Sequence, residues 1–166
     1  MVNKPYMKIF YSGEKIYADL SLSAIREEYG NFIDCKVEGK IDLNHDEYNP
    51  ERKQYNASKL LSNMCKICGD SLFLLVIHED IYCDTMNFVF GCAIPKRGAV
   101  LSTYRLDSAE LIIKEVVHEV GHVMGLNHCN NECVMKFSNS IYEAMVKPSK
   151  LCPICRRTLL KVYGYV

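Results

Sequence analysis

The sequence predicts an α/β fold, a mixed and mostly parallel twisted sheet with helices packed against it. Three observations predict it. Strand-like and helix-like patterns alternate along the chain. Leu72–Ile77 is a continuous apolar run of the kind found in strands buried on both faces. Leu111, Ile112, Ile113, Val116, Val117, Val120, Val123 and Met124 cover most of a helix in apolar groups, which implies burial inside the domain. With 166 residues, 49% of them apolar, the chain fits one globular domain with a sizeable core.

Taken in order, Met7–Tyr11 reads as a short strand and roughly Tyr17–Tyr29 as a helix stopped by Gly30 in the C′ position. Phe32–Val37 suits a strand. Asn49 before Pro50 and Glu51 is an N-cap signal, because asparagine accepts from orphan N–H groups and proline has no N–H to lose in the first turn. A helix is expected from there to about Cys68, with Ala57, Leu60, Leu61 and Met64 inward and Gly69 ending it. After Leu72–Ile77, Asn87–Phe90 and Ala99–Tyr104 suit further strands joined through Pro95-Lys96-Arg97-Gly98. Asp107-x-x-Glu110 resembles a capping box opening the long apolar helix. Short helices are expected at Ser140–Val146 and around Arg156–Lys161.

Lys and Arg together number 20, as do Asp and Glu, so no global field draws the chain to nucleic acid or to an anionic membrane. The apolar runs are far shorter than a bilayer span, and the N-terminus lacks the apolar block of a signal peptide. A cytoplasmic protein is expected. The nine cysteines, an odd number, cannot all pair within the chain; in a reducing compartment, metal ligation or free thiols are expected over a disulfide framework.

The stretch HEVGHVMGLNHC, His118 to Cys129, concentrates the chemistry. Residues four apart on a helix share a face, so His118 and His122 can offer their imidazoles to one ion. Gly125 can take the left-handed conformation that ends the helix and returns His128 as a third ligand. Three neutral nitrogens leave the fourth tetrahedral position to water, the open site of a catalytic zinc. Glu119 stands beside His118, placed to act as general base on that metal-bound water as it attacks a carbonyl. HExxH alone recurs by coincidence, but the longer HExxHxxGxxH removes most chance matches and is the string of the metzincin proteases. Cys129-x3-Cys133 followed by Cys152-x2-Cys155 suits a closed, structural zinc site of four thiolates. Four separate thiols or a redox pair would be the simpler reading, but the thioredoxin-like context of a redox CxxC is missing.

His118-Glu119-x-x-His122-x-x-Gly125-x-x-His128-Cys129, then Cys133-x-Met135, then Cys152-x-x-Cys155, resembles the archaemetzincins, a metzincin-like family of zinc metallopeptidases. Tyr48–Tyr55 resembles that family's segment before its second helix, and Met86–Gly91 its strand beside the active site. The resemblance covers roughly Tyr48 to Arg157, with slightly shorter gaps between the first two cysteines and between the methionine and the CxxC. It implies a zincin-like fold with the active-site helix inside a single domain. Residues 1–128 would carry sheet, helices and active-site helix, and residues 129–166 a small C-terminal zinc-binding subdomain. It further implies two zinc ions per chain, one catalytic on His118, His122 and His128 and one structural on Cys129, Cys133, Cys152 and Cys155. Met135 would lie beneath the catalytic site in the turn that metzincins share. Cys35, Cys65, Cys68, Cys83 and Cys92 are additions to the family pattern and read as inert thiols, with His78 a possible partner if any of them bound metal.

The expected function is zinc-dependent hydrolysis of peptide bonds by a monomer acting on a peptide or protein substrate, with no nucleic acid or membrane partner. Asn87–Ala93 would offer an edge strand to an extended substrate. Tyr104 and Tyr142 are candidates for a second oxyanion donor. Two alternatives stay open. One is a zinc-stabilised peptide-binding module with little turnover. The other is a zinc-dependent endoribonuclease, whose known examples use a similar three-histidine turn without the glutamate after the first histidine; Lys150, Arg156, Arg157 and Lys161 would be its basic face. Cys129 beside His128 makes the stretch a junction of two metal sites.

Overall fold

Alternating faces of three strands divide the interior in two, in a computed structural model that describes residues 3–164. In β1 (Tyr6–Ser12), β5 (Leu72–Ile77) and β8 (Gly98–Ser102), Met7, Ile9, Leu74, Val76, Ala99 and Leu101 join one core. Phe10, Phe73, Leu75, Ile77 and Val100 join the other. The period of two puts successive side chains on opposite faces, and helices cover both. On the first face lie α1 (Lys15–Tyr29), α3 (Ala109–Val123) and α5 (Pro153–Tyr163); on the second lies α2 (Ala57–Cys68).

With β2 (Asp34–Lys40) and β7 (Gly91–Ile94) the strands form a five-stranded sheet in the order β2-β1-β5-β8-β7. The first four run parallel, and β7 returns antiparallel along β8 through a turn in which Lys96 adopts a φ of 64°. The mixed, mostly parallel sheet expected from the sequence is the one observed. A smaller sheet joins β3 (Tyr48–Asn49), β4 (Gln54–Asn56) and β6 (Ile81–Tyr82), and α4 (Ile141–Val146) completes the fold. No helix among the described residues is long and apolar enough to cross a membrane.

Several boundaries differ from expectation, each for a local reason. Asn49 does accept from backbone N–H groups, those of Glu51 and Arg52 at 3.1 and 3.2 Å, but the result is a turn between β3 and β4. The helix begins later, capped by Asn56, whose side chain accepts from Lys59 N. Ser108, not Asp107, caps α3 by accepting from Leu111 N. Gly30 ends α1 in the right-handed region, not as a left-handed cap. Asn87–Phe90 is no strand: only Val89 bridges, to Ile81, and pairing with β8 starts at Gly91. Gly69 and Gly125 take the positive φ expected of them, 57° and 104°.

The chain after α3 folds back on the first core. Glu28 on α1, buried, accepts from the Leu151 N–H at 3.3 Å and pairs with Arg156 on α5. Val134, Met135, Leu151 and Leu159 join the cluster of α1 and α3. Lys114 donates to the Met145 carbonyl at 2.7 Å and so satisfies the end of α4.

Gly121 is the closest point of this packing. Tyr29 Oη donates to the Val117 carbonyl at 2.6 Å, and a Cβ at Gly121 would overlap the Met135 sulfur and lie 2.9 Å from that hydroxyl. Gly121→Ala is therefore expected to lower unfolding free energy by about 1–3 kcal/mol, despite alanine's better helix propensity. Urea denaturation measures it; an unchanged midpoint would mean that the contact yields freely.

Candidate metal centres

The three histidines converge because α3 ends where it does. His118 and His122 share one face of the helix, and the turn at Gly125 brings His128 back beside them. Their ring centroids lie 4.8 to 5.4 Å apart, and their candidate ligand atoms all fall within 4.8 Å of one another. His118 Nδ1 lies 2.8 Å from the Val134 carbonyl and His122 Nδ1 2.8 Å from the Leu126 carbonyl. A carbonyl only accepts, so each Nδ1 carries the hydrogen and each Nε2 presents a lone pair. Those two Nε2 atoms face each other at 3.2 Å. Two lone pairs in that position repel unless a cation lies between them. The edge of a zinc tetrahedron with Zn–N bonds of about 2.0–2.1 Å is about 3.3 Å.

Electrostatics keep the rings neutral, the form that binds metal. Burial, then the Lys147 ammonium, push His118 down to about 3, and burial also lowers His122 and His128. Glu119 follows His118 on α3, is 6% exposed and packs on Gly91 of β7, where a Cβ would come within 2.6 Å of its Cγ. Burial and the neighbouring Glu115 push its carboxyl up to about 8, against the pull of Lys147. Met135, fully buried, lies under α3 against Gly121.

The second cluster begins one residue after the first ends, at Cys129. Cys129, Cys133, Cys152 and Cys155 offer sulfurs within 4.8 Å of one another. Cys129 Sγ lies 3.8 Å from Cys152 Sγ, and Cys133 Sγ 3.7 Å from Cys155 Sγ. A disulfide would require about 2.05 Å, whereas a tetrahedral zinc with Zn–S bonds of about 2.3 Å has edges of about 3.8 Å. Cys133 Sγ accepts from the N–H groups of Met135 and Cys152 at 3.5 and 3.3 Å, and Cys152 Sγ from Cys155 N–H at 3.5 Å. Burial opposes ionisation of Cys152, but that N–H and the neighbouring thiols bring it down to about 7. Donors aimed at the sulfurs are what thiolates on a metal need.

A cleft of about 590 Å³ opens over the histidines. One wall is the 85–93 segment, which includes the start of β7, the free edge of the sheet; the other holds Glu115, Glu119 and the three histidines. Phe137 and Ser138 also line it. Tyr104 and Tyr142 are 58% and 72% exposed and line no part of it. Among the described residues the other five cysteines form no third cluster. Cys83 and Cys92 touch, Sγ to Sγ, at 3.5 Å, and burial pushes Cys92 up to about 12. His78 bonds Thr103 Oγ1 at 2.9 Å and is no partner of theirs. Sequence reasoning missed Val134, Lys147, Glu115 and Ser138. Only Glu115 carries a signal, as a carboxylate one turn before Glu119 in an apolar helix.

Known proteins complete the picture. The model of peptidase family M54 matches residues 33–161. An archaemetzincin of Nanoarchaeum equitans is 45% identical over 153 residues, covering 92% of this chain and 88% of that one. The crystal structure of the archaemetzincin of Methanopyrus kandleri superposes with a TM-score of 0.85 at 30% identity, covering 95% of this chain and 94% of that one. The archaemetzincin of Archaeoglobus fulgidus, crystallised with malonate, superposes with a TM-score of 0.82 at 34% identity over 92% and 98%. Sequence and fold agree over nearly the whole length, and the chain belongs to peptidase family M54, the archaemetzincins, a family of zinc metallopeptidases.

Proposed function

We propose that the chain hydrolyses peptide bonds in the cleft, with zinc held by His118, His122 and His128, Glu119 as general base, and a second, structural zinc held by Cys129, Cys133, Cys152 and Cys155. The observation that carries this reading is the pair of facing Nε2 lone pairs at 3.2 Å beside the buried carboxyl group of Glu119. A zinc ion bound there would supply a Lewis acid that polarises the scissile carbonyl and lowers the pKa of water to about 7.

The rest is the work of the chain. An extended substrate pairs by main-chain hydrogen bonds with the free edge of β7, whose Gly91, Cys92 and Ala93 line the cleft. Glu119, held against Gly91, takes the proton from the attacking water and delivers it to the leaving amine. Val134 and Leu126 carbonyls fix the tautomer and direction of His118 and His122. Met135 supports the helix from below. None of the nine cysteines is paired in a disulfide, which fits a reducing compartment such as the cytoplasm, and the chain acts on a peptide or protein as a monomer. Neither a module that binds without turnover nor an endoribonuclease draws support from the family, and Arg156 of the basic tail is occupied by Glu28.

Glu119→Ala is expected to retain zinc and lose about 10²- to 10⁴-fold in kcat; peptide cleavage at the parental rate would sink this mechanism. Metal analysis of protein purified without chelator should find two zinc ions per chain, one for each cluster. Cys152→Ser should lose one of them and, because Cys133 adjoins Val134, weaken histidine-site zinc by roughly 10- to 100-fold, the usual cost of disturbing a ligand's outer support. Unchanged zinc affinity in a competition titration would show the two clusters to be independent.

A further inference from the structure

Glu115 and Ser138 take no part in the chemistry proposed above, yet both line the cleft. Glu115 is 3% exposed and lies 3.0 Å from the equally buried Lys147 ammonium. Lys147 also donates to the Lys136 carbonyl at 3.2 Å, and beyond that ion pair Glu115 Oε1 has no hydrogen-bond partner among the described residues. Ser138 Oγ is likewise buried and unpartnered among them. Buried polar atoms are nearly always hydrogen-bonded, and a pair of exceptions in one cleft marks a place where a ligand completes the pairing.

Charge narrows the ligand. Lys147 already compensates Glu115, so an ammonium or guanidinium entering here meets a cation beside the acceptor it seeks. A carboxylate meets Glu115 itself. Much of the rest of the lining is apolar, with Phe88, Val89, Phe90 and Phe137 beside the polar Thr85, Asn87 and Asn139. We propose that Glu115 and Ser138 form a specificity subsite for a substrate side chain that is apolar along its length and ends in an uncharged group able to donate to Glu115 and accept from Ser138. The phenol of tyrosine and the carboxamide of glutamine meet both conditions. The inference rests on the peptidase reading for the ligand being a peptide, but recognition precedes hydrolysis and is measurable without it.

The test uses zinc-loaded Glu119→Gln protein and short fluorescent peptides in matched pairs, Tyr against Phe and Gln against Met, with the varied residue moved along the peptide. At one position Tyr is expected to bind about 10- to 100-fold tighter than Phe, and Gln than Met, because a hydrogen bond to a buried charged group is lost in the partner peptide. Glu115→Gln leaves Lys147 buried without its counter-charge, so Ser138→Ala carries the same test with the ion pair intact. It is expected to narrow both ratios about three- to tenfold. Equal affinities within each pair at every position overturn the subsite, as does a Ser138→Ala protein with undiminished ratios. The parent protein separates the two readings. If it cleaves none of the peptides while the affinity ratios hold, the subsite stands and hydrolysis fails; if it cleaves them with no preference for Tyr or Gln, the subsite alone fails.

Discussion

The hydrogen bond between His118 Nδ1 and the Val134 carbonyl is where the two ligand clusters meet, and much of the molecule is arranged to keep that carbonyl in place. Val134 lies between Cys133 and Met135, and its own N–H donates to the Lys150 carbonyl at 3.0 Å. Cys129 N–H donates to the Met135 carbonyl at 3.0 Å, so the loop is closed on itself before any metal is considered. Cys133 then accepts from two N–H groups on either side. A rotation of this short segment would turn the carbonyl away from His118 and free its ring to change tautomer. Adjacency of His128 and Cys129 is thus only one of two links between the clusters, and the Val134 link is the one with a defined direction.

The histidine helix is held from three sides at backbone distance. Gly91 lets Glu119 lie on β7, Gly121 admits the Met135 sulfur and the Tyr29 hydroxyl, and Gly125 turns the chain. Larger residues at the first two positions would push the helix off the sheet edge or off the core below it. The same absence of side chains that permits close packing places a carboxylate at the lip of a free strand, where an extended peptide would lie. Packing density and access are therefore set by the same residues.

The central strands and the histidine helix were legible in the sequence because burial on both sides leaves an unbroken apolar signal, and the convergence of the three histidines because their spacing follows from helix and turn geometry. Boundaries governed by competing local signals were not. Asn49-Pro50 offers the chemistry of a helix cap and of a turn alike, and the pairing of Tyr55 with Ile81, far away in sequence, decides for the turn. Ser108 and Asp107 are adjacent capping residues that only backbone geometry distinguishes. Phe88 to Phe90 alternates like a strand, but Val89 makes only a lone bridge to Ile81 and the regular ladder with β8 runs from Gly91. Lys147 carried no signal at all: a lone lysine after a short helix reads as solvated, and only the tertiary fold buries it beside Glu115.

That buried pair calls for a reason other than stability. Removing a lysine and a glutamate from water costs several kcal/mol per ion, and apolar residues of similar size commonly serve a core as well or better. Here the ammonium stands 3.4 Å from His118 Nδ1, which would oppose a cation on the same ring if nothing offset it. Glu115 faces that ammonium at 3.0 Å and supplies its counter-charge. The neutralisation uses the carboxylate's charge but leaves a lone pair on Oε1 free for hydrogen bonding. A hydrophobic pair could fill the same volume and would spare His118 the same repulsion, but it would remove the buried acceptor with which the proposed subsite tells a phenol from a phenyl ring.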